Sequence, residues 1–258
     1  MNIKIDNETD SPKISAALFD LDGTILNSQE IIPDDISQRI KHISNFIPTS
    51  LISGRIFSSV YDYSKELELS SPQISDNGAL IFNPINKEII FSRSIDCEVA
   101  RDVFNLLDNN DFYYFASSQG EQINNNSKDK NFENVNIITC LYDDIYKFIS
   151  SNSLINLSKI SLIPSSGSSN EKYLSFMPKN INKGIAIEEY SSYLGINKSK
   201  IFAIGDGLND IEMLNKVGIS VAMGNSDKEV YKASKFYTKS FDENGTILAL
   251  DWIIEGLN

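Results

Sequence analysis

Residues 18–26 read LFDLDGTIL, an apolar run that ends in two aspartates, Asp20 and Asp22, one residue apart and followed by Gly23. Charged side chains are almost never fully buried unless paired, so the two acids need a partner or a purpose. On continuing strand geometry their carboxylates point to opposite faces. Past a strand end, Gly23 lets the backbone turn and bring both toward one centre. Two close carboxylates repel, and one takes up a proton unless a cation keeps both ionised. The pair therefore suits a proton donor beside a nucleophile, or a metal site. An Asx turn that merely ends a strand is the plain structural alternative.

Three further stretches share this position after an apolar run or at a helix start. Ser53–Gly54–Arg55 combines a hydroxyl, a flexible backbone and a cation, which suits an anionic oxygen. Lys183, in Asn182–Lys183–Gly184, opens a helix; beside carboxylates it would neutralise both a phosphate and a nucleophile. The stretch 205–210 reads GDGLND and places Asp206, Asn209 and Asp210 after the apolar IFAI. Oxygen-only ligands select a hard cation such as Mg²⁺, held by one or two carboxylates plus substrate phosphate. EF-hand spacing is absent. His42 is the only histidine and sits mid-helix, so no softer metal site competes.

The elements that must position these residues follow from periodicity. ISAALF (14–19) is a short continuous apolar run, the mark of a strand buried on both faces. Pro33 begins a helix with acids in its first turn and Ile36, Ile40 and Ile43 at helical spacing. Strand-like 47–53, helix-like 56–69 and strand-like 72–75 follow. From about 84 to 177 the rhythm changes to six strand-like runs (ALIF, EIIFSR, FYYFASS, VNIITC, KISLIPS, KYLSFMP) with helices at EVARDVFNLLDNN and LYDDIYKFISS. EQINNNSKDKN and PSSGSSNEK read as exposed loops. After Lys183 helix and strand alternate to the end of the chain. The expected fold is α/β, a Rossmann-like parallel sheet formed by 1–83 and 178–258, with an α+β insertion over 84–177.

The chain has 258 residues, with 35 acids against 23 lysines and arginines and a formal charge of −12. That balance argues against nucleic acid and anionic membranes as partners, since both need basic patches. A phosphorylated small molecule stays open, because a metal ion can supply local positive charge. Cys97 and Cys140 lack CxxC spacing and read as inert small hydrophobes. No run reaches the roughly 18 apolar residues of a membrane span, and MNIKIDNETDSPK does not read as a signal peptide. A cytoplasmic protein is expected.

In order, DLDGT (20–24), SGR (53–55), SDNGA (75–79), NKG (182–184), GDGLND (205–210) and AMGNS (222–226) resemble the haloacid dehalogenase superfamily of phosphotransferases. Within it they are most similar to the Cof-like phosphatase branch with a type-II (IIB) cap inserted after the third strand. ENGT (244–247) stands where that branch has an acidic turn and glycine before its last helix. The resemblance spans both outer segments; the insertion matches in length and strand content, not in motif. It implies a Mg²⁺-dependent hydrolase that removes phosphate from small phosphorylated metabolites, such as sugar phosphates, through an aspartyl-phosphate.

By that resemblance Asp20 is the nucleophile and Asp22 the general acid and base. Asp20, Asp206 and the Asp22 backbone carbonyl hold the metal, and Asp210 anchors the metal loop or ligates directly. Ser53, Gly54, Lys183 and Asn209 bind the phosphoryl group, while Arg55 and Asn77 are possible substrate contacts. The departures are a serine at 53, where threonine is frequent, and an extra acid, Asp76, before Asn77. The insertion would select the substrate; Arg93 and the aromatics of 112–115 are candidates, with core packing the commoner role for such rings. No protein partner is implied. A phosphomutase, a dedicated sugar-phosphate phosphatase and a catalytically silent metabolite-binding regulator are the alternatives.

Overall fold

The computed structural model describes residues 3–5, 12–124, 127, 132–141, 145, 149, 157–167 and 171–257. Alternation along the strands explains its main layer. In β2 (Ala16–Phe19) all four residues are buried, with Ala16 and Leu18 in one apolar cluster and Ala17 and Phe19 in another. In β12 (Ile201–Gly205) the same split sends Ile201 and Ala203 one way and Phe202 and Ile204 the other. A strand apolar on both faces must be covered on both faces, which is the physics of a parallel sheet between helices. β2 and β12 pair in parallel at the centre of a six-stranded sheet of order β1–β14–β13–β12–β2–β3. Its other members are β1 (Ile3–Lys4), β3 (Thr49–Leu51), β13 (Ile219–Ala222) and β14 (Phe236–Tyr237).

Helices α1 (Asp34–Ser44) and α7 (Gly245–Leu257) cover one face, contributing Ile36, Ile40, Ile43, Leu250, Trp252 and Ile253 to the cluster there. Helices α4 (Lys183–Leu194), α5 (Ile211–Lys216) and α6 (Lys228–Ala233) cover the other through Ala186, Ile187, Tyr190, Met213, Leu214 and Val230. Beyond β3, helix α2 (Phe57–Glu66) leads to an antiparallel sheet of β4 (Gln73–Ser75), β5 (Leu80–Phe82) and β6 (Ile89–Ser92). An isolated Ile52–Ile74 bridge joins it to β3.

The middle of the chain folds separately from that parallel sheet. β7 (Tyr114–Ser118), β8 (Glu121–Asn124), β9 (Val135–Leu141), β10 (Ile160–Ser166) and β11 (Lys172–Pro178) form an antiparallel sheet of order β10–β11–β9–β7–β8. Helix α3 (Cys97–Asn109) packs on it through Val99, Val103, Phe104 and Leu107. The fold is therefore α/β with an α+β insertion, as the periodicity implies.

Three details differ from the periodicity. β8 falls inside the stretch expected to be loop, because EQIN has a single apolar residue, Ile123, and owes its strand character to pairing with β7. β1 lies ahead of ISAALF, where the periodicity gives no element, and is added to the sheet edge by two residues against β14. β6 pairs with β5, and its Phe91 packs beside Ile74 and Ile81 rather than with the insertion's core. The helix expected at LYDDIYKFISS lies almost wholly outside the described residues.

Candidate active site

The site grows from the ends of the two central strands. β3 lies beside β2, whereas β13 and β14 lie on the far side of β12, so the strand order reverses between β2 and β12. In open α/β sheets ligands bind in the crevice at the carboxyl ends of strands where this reversal occurs. Asp20 stands one residue beyond β2, its N–H donating to Ile204 O at 3.1 Å, and Asp206 stands one residue beyond β12. Gly23 makes the turn that follows: its φ is +72°, and a Cβ there would lie 2.2 Å from Asp206 Oδ2.

Lys183, the first residue of α4, carries a cation at the floor. It is 0 % exposed, and its Nζ donates to Asp20 Oδ1 at 2.6 Å and to Asp210 Oδ1 at 2.5 Å. Asp210 Oδ2 accepts from the N–H groups of Asp206 (3.0 Å) and Gly207 (2.9 Å). Both Asp210 oxygens are thus engaged, one on the lysine and one in folding the loop that presents Asp206. Asp206 accepts from Thr24 Oγ1 at 3.3 Å and from Asn225 Nδ2 at 2.9 Å; Asn225 also donates to Gly23 O at 3.0 Å.

Carboxylate oxygens of Asp20, Asp206 and Asp210 lie within 4.8 Å of one another. Burial, then the neighbouring Asp210, pushes the Asp206 carboxyl up to about 7. The same two causes hold Asp20 well above the ordinary carboxylate range, against the pull of Lys183. Lys183 stays above the ordinary lysine value because Asp20 and Asp210 outweigh its burial. Three acids around one ammonium leave two negative charges in excess, and all the donors are oxygen. The residues fit a hard divalent cation such as Mg²⁺, which would relieve the repulsion.

Asp22 goes elsewhere. Its carboxylate lies outside that acidic cluster and is gripped at both oxygens by Arg55, Nε to Oδ2 at 2.9 Å and Nη2 to Oδ1 at 2.7 Å. Arg55 is in turn held by Glu30, Nη2 to Oε1 at 2.8 Å, and Tyr63 OH donates to Glu30 O at 2.8 Å. Such bidentate pairs fix orientation as well as charge. Asp22 nevertheless lines the same cleft as Asp20, Ser53, Asp206 and Asn209. Ser53 is buried and its Oγ accepts from Arg55 N–H at 3.1 Å. Asn77, 2 % exposed, is absent from the cleft lining; its Oδ1 instead accepts from Asn209 Nδ2 at 3.2 Å.

The cleft encloses about 930 Å³, roofed by Phe115 of β7, Thr139 of β9, Ser165 of β10, and Lys172 and Tyr173 of β11. Of the aromatic run 112–115 only Phe115 reaches it. Tyr114 is buried with its OH on Asp108 (2.9 Å), Phe112 packs in the insertion's core, and Tyr113 is exposed. Arg93 lies over the Phe91 ring and is not part of the lining. Sequence reasoning missed Glu30, Asn225, Lys172 and Tyr173. Only Asn225 left a signal, inside AMGNS; Lys172 and Tyr173 depend on which strand faces the cleft, and Glu30 on the turn before α1 that brings it to Arg55.

Comparison with known proteins agrees with this geometry. The sequence pattern of the haloacid dehalogenase-like hydrolases matches residues 17–250. A phosphoglycolate phosphatase of Methanococcoides burtonii is 23 % identical, the match covering 93 % of this chain and 97 % of that one. A 5-amino-6-(5-phospho-D-ribitylamino)uracil phosphatase of Bacillus subtilis is 26 % identical, with 93 % and 96 % covered. A solved haloacid dehalogenase-like hydrolase from Bacteroides thetaiotaomicron superposes with a TM-score of 0.80 at 24 % identity, over 93 % of this chain and all of that one. The chain belongs to the haloacid dehalogenase-like hydrolase family.

Proposed function

We propose that this hydrolase is a Mg²⁺-dependent phosphatase of small phosphorylated metabolites, working through a phosphorylated Asp20. The observation that carries the reading is the fully buried Lys183 ion-paired to Asp20 within a cluster of three acids, beneath a cleft that also contains Asp22. Phosphate monoester hydrolysis needs accelerations of up to ~10²¹-fold, and a covalent route divides that barrier.

In this mechanism an Asp20 carboxylate oxygen attacks phosphorus while the bond from phosphorus to the ester oxygen breaks. Asp22, able to carry a proton once Arg55 turns from it toward the substrate, gives that proton to the departing oxygen. Water then attacks the phosphoryl-aspartate, Asp22 takes the water's proton, and Asp20 is released with inorganic phosphate. Ser53, the Gly54 backbone and Asn209, which line the cleft, would hold the phosphoryl oxygens together with Lys183, whose ammonium lies on Asp20 and pulls that carboxyl toward its ionised form. Asp20, Asp206 and the Asp22 carbonyl would hold Mg²⁺, which neutralises charge developing on the phosphoryl group when bound. Asp210, with both oxygens engaged, serves as the anchor of that loop.

The proposed division of labour places catalysis on 1–83 and 178–258 and substrate selection on 84–177, with β6 remaining beside β5. Phosphoglycolate and phosphoribitylaminouracil phosphatases are among the relatives, which supports a small phosphorylated metabolite without choosing one. Purified protein with MgCl₂ and p-nitrophenyl phosphate is expected to release phosphate, and EDTA to stop it until Mg²⁺ is restored. Phosphate release that is indifferent to EDTA contradicts the metal assignment.

A further inference from the structure

Between β4 and β5 the chain makes a turn that does not line the cleft yet touches the loops carrying Ser53, Lys183 and Asn209. Asp76, Asn77 and Gly78 are three consecutive residues with positive φ, +51°, +53° and +94°. Asn and Asp tolerate this region better than other residues with a Cβ, but a run of three is held only where its surroundings over-determine it. The surroundings here are the other motifs. Asp76 N–H donates to Arg55 O at 2.8 Å and Asn77 N–H to Ser53 O at 2.9 Å, sewing the turn to the 53–55 loop. A Cβ on Gly78 would lie 2.4 Å from Asn182 O and 3.0 Å from Lys183 N, so the turn presses on the start of the helix that carries the lysine.

Asn77 makes the remaining link. Its Oδ1 accepts one N–H of the Asn209 amide at 3.2 Å, and a Cβ on Gly54 would sit 3.4 Å from Asn209 Nδ2 and 3.9 Å from Asn77 Oδ1. An amide nitrogen has two donors. With one held by Asn77, the orientation of the other is set. Asn209 lines the cleft and Asn77 does not.

We propose that Asn77 is a positioning residue: it orients the Asn209 amide toward the bound phosphoryl group, while the left-handed turn 76–78 sets the spacing of Ser53, Asn209 and Lys183. This rests on the phosphatase reading, in which Asn209 binds phosphoryl oxygen.

A double-mutant cycle tests it, with Asn77→Gly, Asn209→Ala and both together. Glycine accepts φ near +53° and removes the side chain, and with it the acceptor for Asn209. Asn77→Gly is expected to lower kcat/KM for p-nitrophenyl phosphate about tenfold and to weaken inhibition by inorganic phosphate by a similar factor. Its Tm without ligand should stay within a few degrees of wild type. In the Asn209→Ala background the same change should have little further effect. Independent, multiplying losses would overturn the proposal, as would a wild-type-like Asn77→Gly or one that fails to fold. The rise in Tm caused by inorganic phosphate provides a second readout without turnover. If wild type shows that rise but no phosphatase activity, the function is wrong. Loss of the rise in Asn77→Gly would still support the positioning role, and its retention would sink it.

Discussion

At the floor of the cleft Lys183 and Asp210 are 0 % exposed and Asp20 6 %, and each charge has a partner within 2.6 Å. At the roof Phe115 and Tyr173 are half-buried, Lys172 is exposed, and the neighbouring groups are the hydroxyls of Thr139 and Ser165. The rings of Phe115 and Tyr173 meet edge-on at 6.0 Å, and the Thr139 hydroxyl is shared with Ser175 at 2.9 Å. A buried charge is tolerated only in a fixed, fully paired geometry, so the floor can change little without loss of stability. Roof side chains carry no such debt and can vary with the substrate. On the proposed reading, chemistry and selectivity then fall on surfaces with different tolerances for change.

The largest expected effect tests the floor. Asp20→Asn should lower phosphate release at least ~10³-fold, about 4 kcal/mol of barrier, while circular dichroism stays unchanged. An active Asp20→Asn enzyme would end the assignment of Asp20 as nucleophile.

Next is Lys183→Met, which leaves the three acids without their ammonium. Breaking a buried pair typically costs ~3–5 kcal/mol, read here as a lower urea midpoint at neutral pH. If the midpoint is unchanged, the floor is less tightly constrained than its burial implies, and the contrast with the roof weakens.

Asp76 lies where floor and roof meet. Its carboxyl is fully buried; Oδ2 accepts from Ser75 Oγ at 2.8 Å, and Oδ1 lacks a well-formed partner with Ser117 of β7 nearby. Burial pushes it up to about 7 from an ordinary 3.8. Between those values the folded chain binds the proton that the unfolded chain has lost, so stability falls as pH rises through that window and is level outside it. The shift corresponds to at most about 4 kcal/mol. Asp76→Asn should flatten this slope, measured as the difference in urea midpoints near pH 5 and pH 8. Equal slopes in the two proteins would place the titration elsewhere.

The smallest effect belongs to the roof. Tyr173→Ala should change the ranking of phosphorylated metabolites by about tenfold in kcat/KM and leave the Tm within a few degrees. A uniform loss for every substrate would instead mean that Tyr173 serves the chemistry, through its proximity to Arg55, Asp22 and Glu30.

Much of the core was legible because its signals are local. The apolar run before Asp20, the one before Asp206, and the helix start at Lys183 each announce a strand end or helix end from a handful of residues. The roof was not legible in the same way. Phe115 and Tyr114 are adjacent in one aromatic run, yet one faces the cleft and the other the insertion's core. That outcome is decided by strand register, to which a polar stretch such as EQIN contributes as much as an apolar one. Asn77 read as a substrate contact from its motif, and its burial against Asn209 came from a neighbour 132 residues away.

By itself the sequence determined the α/β class, the order of the motifs and the residue types available for phosphoryl chemistry, because period and turn propensity are properties of short segments. Only the tertiary structure decided the pairings. Asp20 meets Lys183 across 163 residues, and Arg55 closes on both Asp22 and Glu30. The physical reason is that a carboxylate's role depends on its burial and on the charge beside it. Asp20 and Asp22, adjacent but for Leu21, acquire different surroundings from partners that no local pattern names.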